Sequence, residues 1–373
     1  MSEKRILLAS LLKPVNDTRM YEKLGLSLAK LKRVQVHICG YKAPVPTNAP
    51  DNVIFHPAFH FKRLSPGRIK AQYTFFKLLL KVKPEIIICS THEFLIVSCI
   101  FKLKKHCNII YDVQENYSLN LKSQHNYTTI VKHTLAALLR TIEKVTAPGI
   151  AHFILAERSY AQELSFLDNK YTIIENKYKA QALSPATPVQ PDLNNLRLLF
   201  SGTISEVYGI FEAITFADAL YQVNPETHLT IIGYCPLRST LQKVKKLIQH
   251  KPYISLIGGD VLVPHQQILD QIRKSNLGIL PYQPNKSTFR CIPTKLYEYA
   301  ALGLPMLVQN NPLWQSLISK FKAGLVVDFR QVDIQALLQE LQQQQFYTAG
   351  TPNDALWESE EIKLLQVVSN FIH

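Results

Sequence analysis

Short apolar runs of strand length alternate with segments of helical periodicity along almost the whole chain, and this alternation constrains the fold more than any other feature. The runs are Arg5–Leu11, Val34–Cys39, Val53–His56, Glu85–Ser90, Asn108–Val113, Ala151–Leu155 and Tyr171–Glu175, then Arg197–Ser201, His228–Gly233, Tyr253–Ile257, Asn276–Pro281, Pro305–Val308 and Gly324–Asp328. They are rich in Val, Ile and Leu without polar alternation, as expected for parallel strands covered on both faces. Helical patterns such as Met20–Leu31 and Thr128–Val145 lie between them. Repeated βα units of this kind predict an α/β protein with two Rossmann-like, doubly wound parallel sheets. A chain of 373 residues is long enough for two such cores. Between the halves, Lys179–Asn195 contains Pro185, Pro188 and Pro191, which break helix and ladder alike. The predicted division is therefore a domain over 1–178, a linker over 179–195, a second domain over 196–354 and a last helix over 355–373. In open sheets ligands bind beyond the carboxyl ends of the strands, so the functional residues are expected in loops facing an interdomain cleft.

Charge is distributed unevenly. Residues 1–190 hold 27 Lys and Arg against 13 Asp and Glu, so this half carries the entire net charge of +14. Such a surplus either keeps the protein soluble or attracts an anionic surface. Residues 62–83 contain Lys62, Arg63, Arg68, Lys70, Lys77, Lys81 and Lys83 and no acid. On a helix from about Gly67, Lys70, Lys77 and Lys81 share one stripe, while Ile69, Tyr73, Phe76 and Leu80 share another that is expected to face the core. Phe75, Leu78 and Val82 form a further apolar flank. A basic amphipathic helix suits an anionic bilayer, and a solvated basic face is the plainer alternative. Basic residues set among aliphatics, with no recognisable reading module, argue against a nucleic-acid partner.

The six cysteines show neither a CxxC pair nor metal-ligand spacing, and several lie in apolar runs, as reduced thiols do. With no signal-like leader and no apolar run of about 18 residues, the expected location is cytoplasmic, peripherally associated with the inner face of a membrane.

The most specific stretch is Ile292-Pro-Thr-Lys-Leu-Tyr-Glu-Tyr-Ala-Ala-Leu-Gly-Leu-Pro305. A strand ends at Pro281, a polar loop follows, and Pro293, Thr294 and Lys295 open a helix whose early turns carry Glu298. A helix N-terminus beside a lysine suits a diphosphate, and a carboxylate one turn on can accept both hydrogen bonds of a ribose diol. An ordinary helix with a solvated glutamate fits the residues equally well.

This stretch resembles the donor-site helix of retaining GT-B glycosyltransferases of family 4, with the pattern Pro-x-Lys-x-x-Glu-Tyr-x-Ala-x-Gly-x-Pro. The resemblance extends over nearly the whole chain. Ser201-Gly-Thr-Ile-Ser-Glu-Val-Tyr-Gly-Ile210 resembles the glycine loop facing the donor phosphates, with Gly202, Thr203 and Tyr208 as candidates. Leu229-Thr-Ile-Ile-Gly233 and Ile257-Gly-Gly-Asp260 resemble the segments flanking the base, which makes Gly233, Gly259 and Asp260 candidates. Asp17-Thr-Arg19, followed by Glu22 and Lys23, resembles the first loop and helix of many members. Tyr111-Asp-Val-Gln-Glu-Asn116 resembles the loop after the fifth strand, and Ala355-Leu-Trp-Glu358 begins what resembles the final crossing helix.

The resemblance implies that Glu298 binds the nucleotide ribose and that transfer retains anomeric configuration without a metal. The chain has no Asp-x-Asp pair, in keeping with that implication. It implies no cofactor beyond a nucleotide-diphosphate-sugar substrate, with UDP favoured over GDP. The basic helix predicts an acceptor that is lipid-linked or a growing surface glycan.

Four positions depart from the family pattern. Arg290 stands where a glutamate often precedes Glu298 by eight residues. Thr203 and Tyr208 stand where basic phosphate ligands are common, and Gln114 replaces a histidine. The catalytic candidates are therefore Arg290, Lys295, His92 and Gln114, with Arg290 and Lys295 together meeting the diphosphate. Asp17, Arg19, Glu93, Asp112 and Glu115 are acceptor-side candidates, although Asp17 equally suits a helix cap and Thr91 with Glu93 a helix start. A non-catalytic membrane-associated binding protein and a sugar-nucleotide epimerase are the competing functions.

Overall fold

The computed structural model describes residues 3–62, 65–123, 128–180, 186–285 and 289–372. Pro185 of the predicted linker lies outside them. The chain divides into two compact units, Met1–Lys179 with Trp357–His373, and Ala180–Leu356. Each unit is built on one parallel sheet.

In the first unit the strands are β1 (Lys4–Pro14), β2 (Val34–Tyr41), β3 (Val53–Phe59), β4 (Ile86–Cys89), β5 (Asn108–Val113), β6 (His152–Leu155) and β7 (Tyr171–Ile173), in the order β3-β2-β1-β4-β5-β6-β7. In the second they are β8 (Leu196–Thr203), β9 (Thr227–Tyr234), β10 (Ile254–Gly259), β11 (Leu277–Leu280), β12 (Met306–Gln309) and β13 (Gly324–Val327), in the order β10-β9-β8-β11-β12-β13. All thirteen apolar runs read from the sequence form strands, and the two sheets have the GT-B architecture. Every residue of β4, β11 and β12 is buried, which is why these strands show no polar alternation. In both sheets the order reverses beside the first strand, between β1 and β4 and between β8 and β11. The loops at those points diverge and leave a crevice beyond the strand ends.

The first helix opens with wide π-helical turns over Thr18–Gly25. These place Arg19 and Lys23, both buried, on the inner side, where Arg19 reaches Asp112 and Lys23 Nζ donates to Asn176 Oδ1 at 2.6 Å. The helix Gly67–Val82 turns Ala71, Phe75, Leu79 and Val82 into the core. The expected core stripe is therefore corrected: Ile69, Tyr73 and Leu80 are exposed. Apolar residues occur all round this helix, and the shape of the sheet surface beneath it decides which of them are buried. No helix among the described residues is long and apolar enough to cross a membrane.

The predicted linker is packed rather than loose over its described part. Val189 N donates to Gly303 O at 3.0 Å, and Gln190 exchanges hydrogen bonds with the backbone of Phe346. Gly303, with φ +69°, lies so close to Pro188 that a Cβ there would sit 2.6 Å from its Cα.

The final helix, Glu358–Ser369, belongs to the first unit. Trp357 is fully buried in that core; its backbone N–H donates to Tyr178 O at 2.6 Å and its indole to Ser27 Oγ at 2.9 Å. One turn on, the buried Glu360 meets Lys177 at 2.6 Å and accepts from the backbone N–H of Glu175 at 3.0 Å. Burying a carboxylate without such partners would be costly. Trp357→Ala should therefore destabilise the first unit by about 3–5 kcal/mol through the cavity and the lost indole bond. Denaturant unfolding with a probe confined to that unit measures the loss.

Candidate functional site

In the second unit the buried Ser201 and Glu298 lie at the switch between β8 and β11. The helix Thr294–Ala301 bridges the two strands there. Tyr299 hydrogen-bonds Ser201 on β8 at 2.9 Å, and its ring packs so closely on Gly278 of β11 that a Cβ would lie 2.5 Å away. With the helix held in this way, its first turns project Lys295 and Glu298 over the end of β8. Lys295 runs along Gly202, where a Cβ would stand 3.2 Å from its Cε.

Glu298 is nearly buried yet charged. Burial pushes its carboxyl up, but Lys295 chiefly, and His265, overturn that and hold the pKa at about 2. Lys295 Nζ donates to Oε2 at 2.6 Å and His265 Nε2 to Oε1 at 3.2 Å. The carboxylate can only accept, so its neighbour fixes the proton on Nε2 of the imidazole. His265 opens the helix His265–Lys274 that follows β10. Sequence reasoning missed it, because only the fold brings a residue 33 positions away onto Glu298.

Around this trio the strand ends are lined by glycine. Gly202, Gly233 and Gly258 pair in register across β8, β9 and β10. At Gly233, with φ +154°, a Cβ would strike Gly202 O at 1.6 Å, so no other residue fits. The adjacent Gly259 is buried. The loop Thr203–Gly209 folds back onto the end of β11: Gln283 N donates to Val207 O at 2.9 Å, and Gly209, with φ +75°, presses on Pro281. The Tyr208 ring lies tilted against Tyr282, centroids 4.8 Å apart, and Tyr282 meets Trp314 edge-on. Thr203 is exposed at the rim, whereas Pro293 and Thr294 are half-buried at the helix start. Arg290 is exposed in the loop that Trp314 and Asn311 tie down by their bonds to Cys291 O and Phe289 O, both 2.8 Å. Asp260 stands apart from Glu298's partners, exposed and 3.9 Å from Lys245.

The first unit has its own polar cluster at the ends of β1, β4 and β5, and much of it holds the fold together. Asp17 caps the first helix, accepting from Arg19 N and Met20 N. Arg19 and Asp112 form a buried pair at 2.7 Å, Arg19 also donates to Ile174 O, and Gln114 Nε2 donates to Asp112 at 2.8 Å. Arg19 and Asp112 are thus turned on each other rather than outward. Glu115 is exposed and accepts from Asn120. His92 lies edge-on to Tyr117, 3.6 Å from Glu93, which faces Arg68 at 3.6 Å. Burial lowers the His92 pKa; Glu93 opposes this and Arg68 adds to it, so the ring is neutral at neutral pH.

Comparison with known proteins bears on the second unit most directly. Residues 188–345 match the family described as Glycosyl transferases group 1. The chain carries a glycosyltransferase domain. Its whole length has the GT-B fold of several solved structures. Sucrose-phosphate synthase from Thermosynechococcus elongatus superposes with a TM-score of 0.69 at 15% identity, covering 98% of each chain. Anabaena HepE in complex with UDP and glucose gives 0.65 at 13% identity, over 98% of this chain and 100% of that one. A putative UDP-N-acetylglucosamine 2-epimerase from Listeria monocytogenes gives 0.61 at 9% identity, over 99% and 96%. No curated protein matches the chain in sequence. The matched segment spans Gly202, Gly233, His265, Lys295 and Glu298.

The electrostatics make a pH prediction. The Glu298 pKa is depressed in the folded state, so its stabilising contribution is complete above pH about 5 and is lost as pH falls toward 2. The shift from 4.5 to about 2 corresponds to about 3 kcal/mol at most. Lys295→Met should raise the Glu298 titration more than His265→Ala, because the ammonium is the stronger of the two lowering groups. Stability of each variant against pH, compared with Glu298→Gln, checks the order.

Proposed function

We propose that the protein is a retaining, metal-independent glycosyltransferase of the family 4 type. It moves a sugar from a nucleotide-diphosphate donor, UDP favoured over GDP, to a lipid-linked or surface-glycan acceptor at the inner face of a membrane. The observation that carries this reading is the ionised Glu298 on the opening turns of a helix, over the glycine-lined ends of β8, β9 and β10. A nearly buried carboxylate with acceptor capacity left beyond Lys295 and His265 is suited to a ribose diol. The missing side chains at Gly202 and Gly233 leave room for a nucleotide to approach the backbone closely. HepE, a structural neighbour, binds UDP and UDP-glucose.

In this reading the diphosphate lies by the N-terminus of Thr294–Ala301, with Lys295 as a point charge and Arg290 as a bidentate donor from the loop above. Both meet the negative charge that grows on the leaving group as the glycosidic bond breaks. Thr203 and Tyr208 flank the same phosphates. His92, neutral and beside Glu93, faces the acceptor in the first unit, while Lys70, Lys77 and Lys81 face an anionic lipid surface.

UDP should raise the melting temperature of the wild-type protein more than GDP does, since a ligand that binds the folded state stabilises it. Glu298→Ala should abolish the shift; a shift of undiminished size would remove the assignment. Arg290→Ala should lower donor turnover by about a hundredfold, on the order of 2.7 kcal/mol, and weaken UDP binding as well, because UDP carries the charge that the guanidinium meets. Retained UDP binding without any transfer or donor hydrolysis in the wild type would instead mark a binding protein on the same fold.

A further inference from the structure

Three helices of the first unit, Gly67–Val82, Leu95–Lys104 and Thr129–Thr146, connect β3 to β4, β4 to β5 and β5 to β6. These connections all run in the same direction across the sheet, so right-handed crossovers put the three helices on one face. They pack side by side, with Leu95–Lys104 in the middle. Lys104 lies over the Phe76 ring of one neighbour, and Lys102 donates to Gly149 O just beyond the end of the other, at 2.8 Å.

Each helix buries one apolar stripe against the sheet and carries a second one outward. On the first, Ile69, Tyr73 and Leu80 recur at helical spacing and are exposed, Ile69 by 77%. On the second, Ile96, Ile100 and Leu103 do the same, Leu103 by 88%. On the third, Val131, Leu135, Leu138 and Val145 form the stripe, and Ile130 beside it is 80% exposed. A surface helix of a water-facing domain is ordinarily polar on its outer side, and three adjacent outer stripes of large aliphatics form a surface built for a partner.

The charges bordering the stripes identify that partner. Lys70, Lys77, Lys81, Lys104 and Lys144 are exposed on these helices, and Lys132 is half-buried. The first two helices contain no acid, and the one acid of the third, Glu143, is buried against Tyr111 and Arg140. Bulky aliphatics ringed by lysines match an anionic bilayer, where the side chains enter the acyl boundary and the ammonium groups stay among the headgroups. A second copy of this chain would bring like charge against like.

We infer that these three helices form a platform that inserts its outer apolar stripes into an anionic membrane, so that attachment is hydrophobic as well as electrostatic. The inference deepens the proposed membrane acceptor and rests on that reading for its purpose, not for its geometry. The test is flotation of the full chain with phosphatidylcholine vesicles, with and without phosphatidylglycerol, across a salt series. The wild type should float with the anionic vesicles and keep a salt-resistant fraction. Leu103→Glu with Ile130→Glu should cut that fraction about tenfold or more, since each change replaces an inserted aliphatic by a charge. Lys70→Glu with Lys77→Glu should remove mainly the salt-sensitive part. Thermal unfolding and the UDP-induced shift, measured on every variant, show that the fold and donor site survive.

Absence of flotation, or flotation indifferent to Leu103→Glu with Ile130→Glu, would overturn the platform. So would a wild-type dimer that those two changes convert to monomer, since the stripes would then cover each other. A UDP shift without flotation sinks the platform alone, whereas flotation without a UDP shift sinks the donor reading alone.

Discussion

The carboxylate of Glu298 is charged in a place where charge is expensive, and the second unit is arranged around keeping it so. Burial alone would drive a proton onto it. The ammonium of Lys295 and the imidazole of His265 each take one oxygen and reverse that tendency. Both donors come at a structural cost. Lys295 needs open space at the end of β8, which only the glycine at position 202 leaves, and His265 needs β10 to end close enough for its helix to begin beside Glu298. The ladder of Gly202, Gly233 and Gly258 lets the three strand ends lie this near one another. The aromatic clamp of Tyr299 on Ser201 and Gly278 then fixes the helix that presents the carboxylate.

The first unit uses buried charge differently. Arg19 with Asp112, and Glu360 with Lys177, are matched pairs that join segments far apart in the chain. They connect the first helix to β5 and the last helix to the segment after β7. Such pairs contribute little net stability, but removing one partner leaves the other uncompensated, so they specify which helix lies where. This explains why several residues with the chemistry of an active site, Asp17, Arg19, Asp112 and Gln114, are occupied with one another. Polar residues at strand ends are asked both to close loops and to meet ligands, and sequence cannot apportion the two duties.

The outer surface of the first unit shows the same division between local pattern and packing. In Gly67–Val82 apolar side chains occur on every side, so periodicity alone offers two candidate core stripes. The sheet accepts Ala71, Phe75, Leu79 and Val82, which leaves Ile69, Tyr73 and Leu80 outside with the lysines. Neighbouring helices repeat the arrangement, and a feature read from one basic helix becomes a property of a three-helix layer.

The order of apolar runs was enough to determine all thirteen strands and the two parallel sheets, because a strand covered on both faces must be apolar throughout and the chain must return by a helix to extend a parallel ladder. The helix bearing Lys295 and Glu298 was legible in its local pattern, whereas Gly202 and Gly233 stood out only through the family resemblance and Gly258 did not stand out at all. Only the tertiary structure decided that His265 meets Glu298, that Arg19 is spent on Asp112, and which stripe of Gly67–Val82 faces inward. These outcomes depend on distances between segments remote in sequence, set by strand order and by the fit of one packed surface on another, and no local pattern of residues encodes such distances.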